Sequence, residues 1–349
     1  MALKPVFNEV LQSSGSDHVQ CTFEWLSLWL KHLGSEHQLL TLLALKGDRA
    51  IGIAPLAVHR RSAVYRGAVS LRTLSFVGHG FTDSSDFLVV EEREQVLNAF
   101  IDYMFQNSEL WDEMCLAHLS DQSPNFELLR QVLDREEYEL QVEALIGCPY
   151  LRVEGEFEPY YIALGKNLKH DVAKKMRRLG EAGIELDFDV LTQIDDNLLE
   201  ELRDFNRKRF EATQHRSFFL DERRYGFVRE VAGVFNQNGW WRLFLFRNKG
   251  ALIAYRLCFA YGNVLYDWNT SYDVDYFKYS LGKILLKPVL EYCFEHGFKL
   301  FDFMAGDEDY KLKWTRTTRT NCQISVQKRS LKTRLARVYS RARKKLKKR

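Results

Sequence analysis

Hydrophobic and polar positions along the chain form two similar series of elements. Near the N-terminus, "QLLTLLALKGDRAIGIAPLAVHRR" predicts two strands that meet in a tight turn at residues 46–48. Near the C-terminus, "WRLFLFRNKGALIAYRLCFAYGN" predicts a second hairpin with its turn at residues 248–250. Both turns contain a glycine, which accepts the positive φ that two-residue hairpin loops require.

Each predicted hairpin begins the same order of elements. A strand follows ("LRTLSFVG" or "NVLYDWNTSY"), then a helix (residues 93–106 or 281–296), then a final strand ("WDEMCLAHLS" or "FKLFDFMAG"). The matched order favours an internal duplication over chance, although mixed α/β proteins also produce such series. The predicted fold class is therefore α/β, with mixed sheets in two lobes.

A basic helix is predicted between the two series. Leu168, Val172, Met176 and Leu179 recur on one helical face, and Gly183 is a suitable C-cap. Lysines and arginines cover much of the remaining surface, most simply as a solvated face. The segment "DNLLEELRDFNRKRFEATQ" predicts a second helix directly after it.

Length and charge divide the chain further. Its 349 residues suit two domains. The whole chain carries +3 and residues 328–349 contribute +12 without an acidic residue, so residues 1–327 carry −9. An acidic body argues against a duplex-DNA-binding protein. We assign four segments: an N-terminal lobe (1–150), an inter-lobe segment with the basic helix (151–200), a C-terminal lobe (201–328) and a basic tail (329–349).

Cysteine spacing and hydropathy indicate the compartment. The six cysteines form no CxxC pair, which argues against zinc fingers and a disulfide framework, so we expect reduced thiols and no metal. The N-terminus has no continuous apolar signal region, and no apolar run approaches the roughly 20 residues that span a bilayer. These features predict a cytoplasmic protein.

The stretch "YSLGKI" is a candidate anion site at the start of the second series' helix. Ser280 is a suitable N-cap, Gly282 leaves backbone N–H groups uncovered, and Lys283 adds a positive charge. A pyrophosphate suits such a helix end. A simple helix cap without a ligand is the alternative interpretation. Pro288 further predicts a kink, because its ring clashes with the carbonyl of Ile284.

An aspartate inside the apolar strand "FKLFDFM" is a second candidate. Alternation places Leu300, Asp302 and Met304 on one face of the strand. A buried carboxylate needs a partner, here Lys311, Lys313 or an amine of the substrate. A structural ion pair and an active-site carboxylate both fit this pattern.

The following loop, "AGDEDYKLKW", carries the hydroxyl of Tyr310, the cation of Lys311 and the ring of Trp314. With "SLGK" and "GFKLFDF", it resembles the C-terminal signature of the BioF2-like, or CelD-like, acetyltransferase family of the GNAT superfamily. That signature is similar to Ser-Pro-Gly before a helix, then Gly…Asp-Phe, then Gly-x-x-x-Tyr-Lys-x-x-Trp. The segments "FEWLSLWLKHLG" and "GCPYL" and the basic helix also fit, so the resemblance covers residues 22–327.

The resemblance implies two tandem GNAT-like lobes joined by the basic helix, as in Fem-type aminoacyl ligases. It implies acyl transfer from acetyl-CoA or another acyl-CoA to an amine or hydroxyl. The implied donor-binding residues are Ser280, Leu281, Gly282, Lys283 and Asn269. Leu281 stands where the family has proline, and the loop keeps one glycine of the superfamily's Gln/Arg-x-x-Gly-x-Gly/Ala.

The chemistry of thioester attack assigns roles to the remaining residues. Asp302 or Glu308 would be the general base and Tyr310 would protonate the leaving thiolate. Lys311 would orient an acidic acceptor or a donor phosphate, while a backbone N–H stabilises the oxyanion. Family context implies a sugar or an envelope or exopolysaccharide precursor as acceptor.

Two other functions remain open. One is aminoacyl transfer from aminoacyl-tRNA, with the basic helix and tail as RNA contacts. The other is a non-catalytic partner of a polysaccharide synthesis complex, which the departures in the phosphate loop favour.

The basic tail also predicts an amphipathic helix. Leu331, Leu335 and Val338 recur at i, i+4 and i+7 among arginines and lysines. Such a helix suits an anionic membrane surface at the inner face of the membrane. A disordered tail and a nucleic-acid contact are the alternatives.

Overall fold

The computed structural model describes residues 3–62, 69–214 and 217–347, with side chains described as far as Tyr339. The first elements in chain order are α1 (Leu3–Ser13), α2 (Phe23–His32), β1 (His37–Lys46), β2 (Arg49–Ser62), β3 (Ser70–Phe76), β4 (Leu88–Val89), α3 (Arg93–Gln106), β5 (Glu113–Ser120), α4 (Phe126–Val132) and β6 (Tyr138–Arg152). The next are α5 (Phe157–Ala163), α6 (Lys166–Glu181), β7 (Asp187–Leu191), α7 (Asp196–Thr213), α8 (Glu222–Asn238), β8 (Trp241–Asn248), β9 (Ala251–Tyr261) and β10 (Val264–Tyr272). The last are α9 (Leu281–Ile284), α10 (Leu286–Glu295), β11 (Leu300–Asp302), β12 (Thr318–Lys328) and α11 (Leu331–Lys347).

The chain folds as two compact units. Unit 1 comprises Met1–Ile146 and Thr320–Arg349, and unit 2 comprises Gly147–Arg319. The predicted mixed α/β class is confirmed, because each unit contains parallel and antiparallel strand pairs together with helices.

Unit 1 is built on the strand order β1-β2-β3-β5-β12. Only the β3–β5 pair among these is parallel, and α3 makes the crossover between the two strands. Residues 321–327 pair with β5, and the apolar side chains of Cys322, Ile324 and Val326 join the core of unit 1. From the sequence we assigned these residues to the C-terminal lobe. Their pairing with β5 was not predicted, because β5 lies about 200 residues earlier in the chain.

Unit 2 repeats this arrangement. Its strand order is β6-β11-β10-β9-β8-β7, and α9 and α10 connect the parallel strands β10 and β11. Its core packs apolar side chains from one face of these strands against α6, α9 and α10, among them Val172, Leu179, Phe244, Ile253, Leu265, Ile284, Leu290 and Phe301. The predicted order of two hairpin strands, a third strand, a helix and a final strand is therefore confirmed in both units.

Both predicted hairpin turns are confirmed. Lys46 pairs with Arg49, and Gly47 between them has φ +60°. Asn248 pairs with Ala251 across Lys249 and Gly250, which have φ +50° and +83°. Positive φ at both Lys249 and Gly250 is typical of the type I′ loop, whose twist matches that of the strands.

Two predicted helix features are also confirmed. Leu285 interrupts the helix between α9 and α10, three residues before Pro288, which has no N–H to donate to the carbonyl of Ile284. Gly183 ends α6 with φ +67°, and the N–H of Ile184 donates to the carbonyl of Leu179 at 3.0 Å, as in a Schellman motif. Among the helices of the described residues, none is both long enough and apolar enough to cross a membrane.

Candidate active site

Two parallel strands of unit 2 separate after a short paired stretch. Residues 264–266 of β10 pair with residues 300–302 of β11. Beyond that point the chain after β11 stays with β6, because Phe303 N–H donates to the Pro149 carbonyl and Gly306 N–H donates to the Gly147 carbonyl. β10 instead continues along β9 as far as Tyr272. The two strands therefore diverge between residues 268–272 and residues 303–306, and we call this region the β10/β11 opening.

A β-bulge marks the start of this opening. The register between β10 and β9 shifts between Asp267 and Asn269, so Trp268 is the extra residue. The Trp268 ring packs 4.8 Å from the ring of Phe259 and 4.6 Å from that of Phe218. A bulge bends its strand and increases the local twist, which directs β10 away from β11 at this point.

Ser280 does not cap the helix as the sequence predicted. It has φ +54° and its side chain makes no capping hydrogen bond. Side-chain capping requires extended backbone at the cap residue, so that prediction is wrong. The Ser280 carbonyl instead accepts hydrogen bonds from the N–H groups of Lys283 and Ile284 at 2.9 and 3.3 Å. Leu281 is fully buried, whereas Lys283 is exposed.

Gly282 lies beside the part of β10 that borders the opening. A Cβ added to Gly282 would lie 3.4 Å from Thr270 Cγ2 and 3.7 Å from Tyr272 Cδ1. Its carbonyl accepts a hydrogen bond from Nη2 of Arg256 at 2.8 Å. The turn that the sequence predicted as a phosphate site is therefore adjacent to the β10/β11 opening.

A buried ion pair holds this region together. The guanidinium of Arg256 on β9 pairs with Asp267 on β10, and only 1% and 4% of their side chains are exposed. The charge of the same guanidinium also acts on the hydroxyl of Tyr310, where it opposes the rise in pKa that burial causes. Burial raises the pKa of Asp267, an effect that the charge of Arg256 opposes, and burial raises the pKa of Tyr310. Tyr310 is therefore a protonated phenol at neutral pH.

Neither Arg256 nor Asp267 was predicted from the sequence as a functional residue. A signal was present, since each is a lone charged residue within an otherwise apolar strand segment, as Asp302 is. The sequence does not show that β9 and β10 pair in a register that brings the two charges together. In that register Asp267 lies opposite Cys258, two residues from Arg256.

Lys311 is buried and its ammonium group is occupied by the loop after β11. Its Nζ donates to the carbonyls of Ala305 and Gly306 at 3.2 and 3.1 Å, and it lies 2.9 Å from Oε2 of Glu308. Glu308 keeps 58% of its side chain exposed. Lys311 therefore supports the loop, while Glu308 remains accessible from solvent.

Asp302 has a different partner from those the sequence offered. Its Oδ2 accepts from Arg319 Nη2 at 2.5 Å, and its Oδ1 accepts from the Met304 N–H at 2.8 Å. The prediction of Lys311 or Lys313 as the protein partner is therefore wrong. Arg319 reaches Asp302 because residues around Thr317 hydrogen-bond to Tyr150 of β6, the strand next to β11. The contact also holds Met304 at φ +57°.

We expect Asp302→Asn to destabilise the protein. The asparagine keeps the hydrogen bond to Met304 but leaves Arg319 unpaired at a site where Asp302 is 2% exposed. Removing one member of a buried pair costs roughly 3 kcal/mol. Urea unfolding of the variant measures this loss. The double variant Asp302→Asn/Arg319→Gln should recover part of the lost stability, and a single variant as stable as the wild type would contradict the assignment of a structural ion pair.

Asn269 lies in a hydrogen-bonded chain next to the bulge. Its Oδ1 accepts from the Tyr255 hydroxyl at 2.6 Å, and that hydroxyl accepts from Asn206 Nδ2 at 2.7 Å. Asn206 belongs to α7, so Asn269 is held against that helix. Phe301 and Phe303 join the core around α9 and α10, whereas Asp302 alternates to the other face of its strand. The structure therefore links Gly282 to Arg256 directly, whereas the side chains of Asp302 and Asn269 hydrogen-bond to other partners.

In unit 1, the region equivalent to the β10/β11 opening is filled by residues 85–86 of the same chain. The parallel strands β3 and β5 pair over residues 73–75 and 113–115. Beyond this stretch the Ser85 N–H donates to the carbonyl of His118 on β5 at 3.0 Å. The buried Asp86 then accepts hydrogen bonds from Ser16 and Ser123, both at 2.6 Å. The strand separation in unit 1 is thus filled, which makes unit 2 the candidate active unit.

Known proteins resemble this chain at two levels. Residues 166–312, all within unit 2, match the family model described as "Acetyltransferase (GNAT) domain". Curated protein sequences give no match.

Solved structures are similar over nearly the whole chain. A crystal structure of FemX has a TM-score of 0.64 at 11% identity and covers 96% of this chain and 98% of its own. A conserved protein of unknown function from Bacteroides thetaiotaomicron VPI-5482 has a TM-score of 0.56 at 11% identity, with 93% and 97% covered. A tandem GNAT protein from the clavulanic acid biosynthesis pathway has a TM-score of 0.52 at 12% identity, with 93% and 96% covered. Together with the duplicated topology, these findings show that the chain has a tandem GNAT-like fold in which residues 166–312 match the GNAT acetyltransferase domain.

Proposed function

We propose that this protein is an acyl-CoA-dependent acyltransferase whose donor binds in unit 2. The observation that carries the proposal is the β10/β11 opening, which lies within the segment matching a GNAT acetyltransferase domain. Within the part of the chain that the structure describes, β11 pairs with β10 only as far as residue 266, and β10 continues to Tyr272 beside the opening. The backbone of β10 there is suited to hydrogen-bond the amide arm of an acyl-CoA as an added strand would.

The donor's pyrophosphate lies at residues 280–283 in this proposal. The N–H groups of Leu281 and Gly282 come first in α9 and precede the intrahelical bonds, so they are available to phosphate oxygens. Lys283 is exposed and contributes a positive charge there. Asn269 borders the path of the thioester arm. The side chain of Leu281 only anchors the turn in the core, because it is fully buried.

The reaction is attack of an amine or hydroxyl on the thioester carbonyl, followed by loss of the CoA thiolate. Glu308 is the general base of choice because 58% of its side chain is exposed, although Oε2 contacts Lys311, whereas Asp302 is 2% exposed and both of its oxygens accept hydrogen bonds within the protein. Tyr310 donates its proton to the leaving thiolate. Its raised pKa keeps that proton in place at neutral pH. Lys311 holds Glu308 and the loop carbonyls in position.

We expect Glu308→Gln to lower turnover by roughly 10²–10⁴-fold, the usual contribution of a general base. The affinity for acetyl-CoA should be unchanged, because the substitution keeps the size of an exposed side chain. Single-turnover kinetics and titration calorimetry on one preparation measure the two quantities. Normal turnover in the variant would exclude Glu308 as the base.

The acceptor in this proposal is a sugar amine or hydroxyl of an envelope or exopolysaccharide precursor. Its support is the resemblance to the CelD-like family. A panel of amino sugars and nucleotide sugars, assayed by release of free CoA thiol from acetyl-CoA, tests both activity and acceptor class. CoA release that depends on one acceptor supports the proposal, while binding of CoA without transfer to any acceptor supports the non-catalytic alternative.

A second candidate donor is aminoacyl-tRNA, which the similarity to FemX favours. The exposed cations of α6 (Lys166, Lys174, Arg177 and Arg178) offer a surface for RNA. The net charge of −9 over residues 1–327 opposes it. Filter binding of tRNA at graded salt, beside calorimetry with CoA, separates the two donors: phosphate-driven RNA binding weakens steeply with salt.

A further inference from the structure

The C-terminal helix α11 packs on the rest of unit 1 through a face of small and polar side chains. Thr333 and Ala336 are buried, with 1% and 2% of their surfaces exposed. Lys332 pairs with Asp112 at 2.6 Å and Arg337 pairs with Glu139. A surface helix of a globular protein normally turns its apolar stripe towards the core. α11 buries Ala336 against Leu71, but its large apolar side chains are exposed.

The outer face of α11 consists of Leu331, Arg334, Leu335 and Val338. Leu331, Leu335 and Val338 are 74%, 49% and 62% exposed. Their spacing of i, i+4 and i+7 places them in one line along the helix. The predicted helix with Leu331, Leu335 and Val338 on one face is therefore confirmed, and that face is exposed to solvent.

The sequence around this apolar line is rich in positive charge. Residues 328–349 contain twelve lysines and arginines and no acidic residue. Seven of these cations follow Tyr339, where the side chains lie outside the described residues. An apolar stripe flanked by cations is the pattern of a helix that lies in the interface of an anionic bilayer.

We propose that the outer face of α11 binds the surface of an anionic membrane. The leucines and valine enter the boundary between headgroups and acyl chains, while the flanking cations contact the lipid headgroups. The ion pairs of Lys332 and Arg337 hold the helix on unit 1, so the fold itself presents this face. A nucleic acid would use the same cations, but it offers no apolar layer for Leu331, Leu335 and Val338.

Co-sedimentation of the full chain with lipid vesicles tests this proposal. We expect binding to vesicles that contain the anionic lipid phosphatidylglycerol, and none to pure phosphatidylcholine vesicles. Binding should weaken with salt. Leu331→Ser/Leu335→Ser/Val338→Ser keeps every charge and should lower the apparent affinity by at least about tenfold, because it removes only the inserted apolar area.

A matched control exists in the same unit. Leu39, Leu43 and Leu45 of β1 are 53%, 45% and 61% exposed, and changing them to serine removes a similar apolar area elsewhere. This control should bind vesicles like the wild type. The proposal is wrong if the α11 variant binds as tightly as the wild type, if tRNA competes equally well in both, or if the wild type stays in the supernatant with anionic vesicles at low salt.

Discussion

Gly282→Glu is expected to abolish binding of acetyl-CoA while leaving the fold intact. Gly282 is followed directly by the exposed Lys283 and borders the β10/β11 opening through Thr270 and Tyr272. A glutamate there places a negative charge and a bulky side chain where the proposal puts the pyrophosphate. We expect the dissociation constant to rise by at least roughly 100-fold, because the charge conflict and the lost space act together.

Two substitutions at the same position serve as controls. Gly282 has a negative φ and space for a Cβ at ordinary contact distance, so Gly282→Ala should fold normally and retain most of the affinity. Gly282→Gln has the size of glutamate without its charge, so its affinity for acetyl-CoA should lie between those of Gly282→Ala and Gly282→Glu. Equal affinity of the folded Gly282→Glu variant and the wild type would remove residues 280–283 from the donor site.

Replacing Arg256 and Asp267 together is the second change with a large expected effect. Arg256→Met/Asp267→Leu exchanges a buried ion pair for apolar side chains of similar volume, a change that is often neutral or stabilising. The variant nevertheless loses the hydrogen bond from Arg256 to the Gly282 carbonyl and the charge that acts on Tyr310. We expect the affinity for acetyl-CoA to fall by about tenfold and turnover to fall further, because residues 280–283 and Tyr310, the proposed phosphate site and proton donor, lose these interactions.

The single and double variants should differ in stability, whereas the double variant should keep its stability and still lose affinity for acetyl-CoA. Arg256→Met alone leaves Asp267 buried without its partner and should cost roughly 3–5 kcal/mol in unfolding free energy, which the double variant recovers. The pair Arg247 and Glu201, which joins β8 to α7, offers a matched control. Arg247→Met/Glu201→Leu should leave donor affinity unchanged. A normal affinity in the Arg256→Met/Asp267→Leu variant would reduce the buried pair to a purely structural role.

Local patterns in the sequence predicted the elements well. The helix at residues 93–106 has the bounds that were predicted, and both hairpin turns lie where glycine allows positive φ. Pro288 predicted the interruption at Leu285 for a reason that involves only neighbours in the chain. Such features depend on backbone sterics and on apolar spacing over a few residues, which a single sequence contains.

Contacts between distant residues account for what the sequence did not predict. Asp302 was recognised as a buried carboxylate, but its partner Arg319 lies on a segment that reaches it only through the pairing with β6. Ser280 has a residue type that favours capping, yet the preceding turn imposes φ +54° and removes that role. The return of β12 to unit 1 depends on β5, which lies about 200 residues earlier. The type of a side chain indicates which interactions it can make, whereas the residue it contacts depends on the tertiary fold.

The most direct test of the proposed function is a crystal structure of the full chain soaked with CoA. We predict that the pantetheine arm lies between residues 268–272 and 303–306, with the pyrophosphate at the N–H groups of Leu281 and Gly282 and the sulfur near Tyr310. Density for CoA at another site, with the β10/β11 opening empty at saturating concentration, would contradict the account.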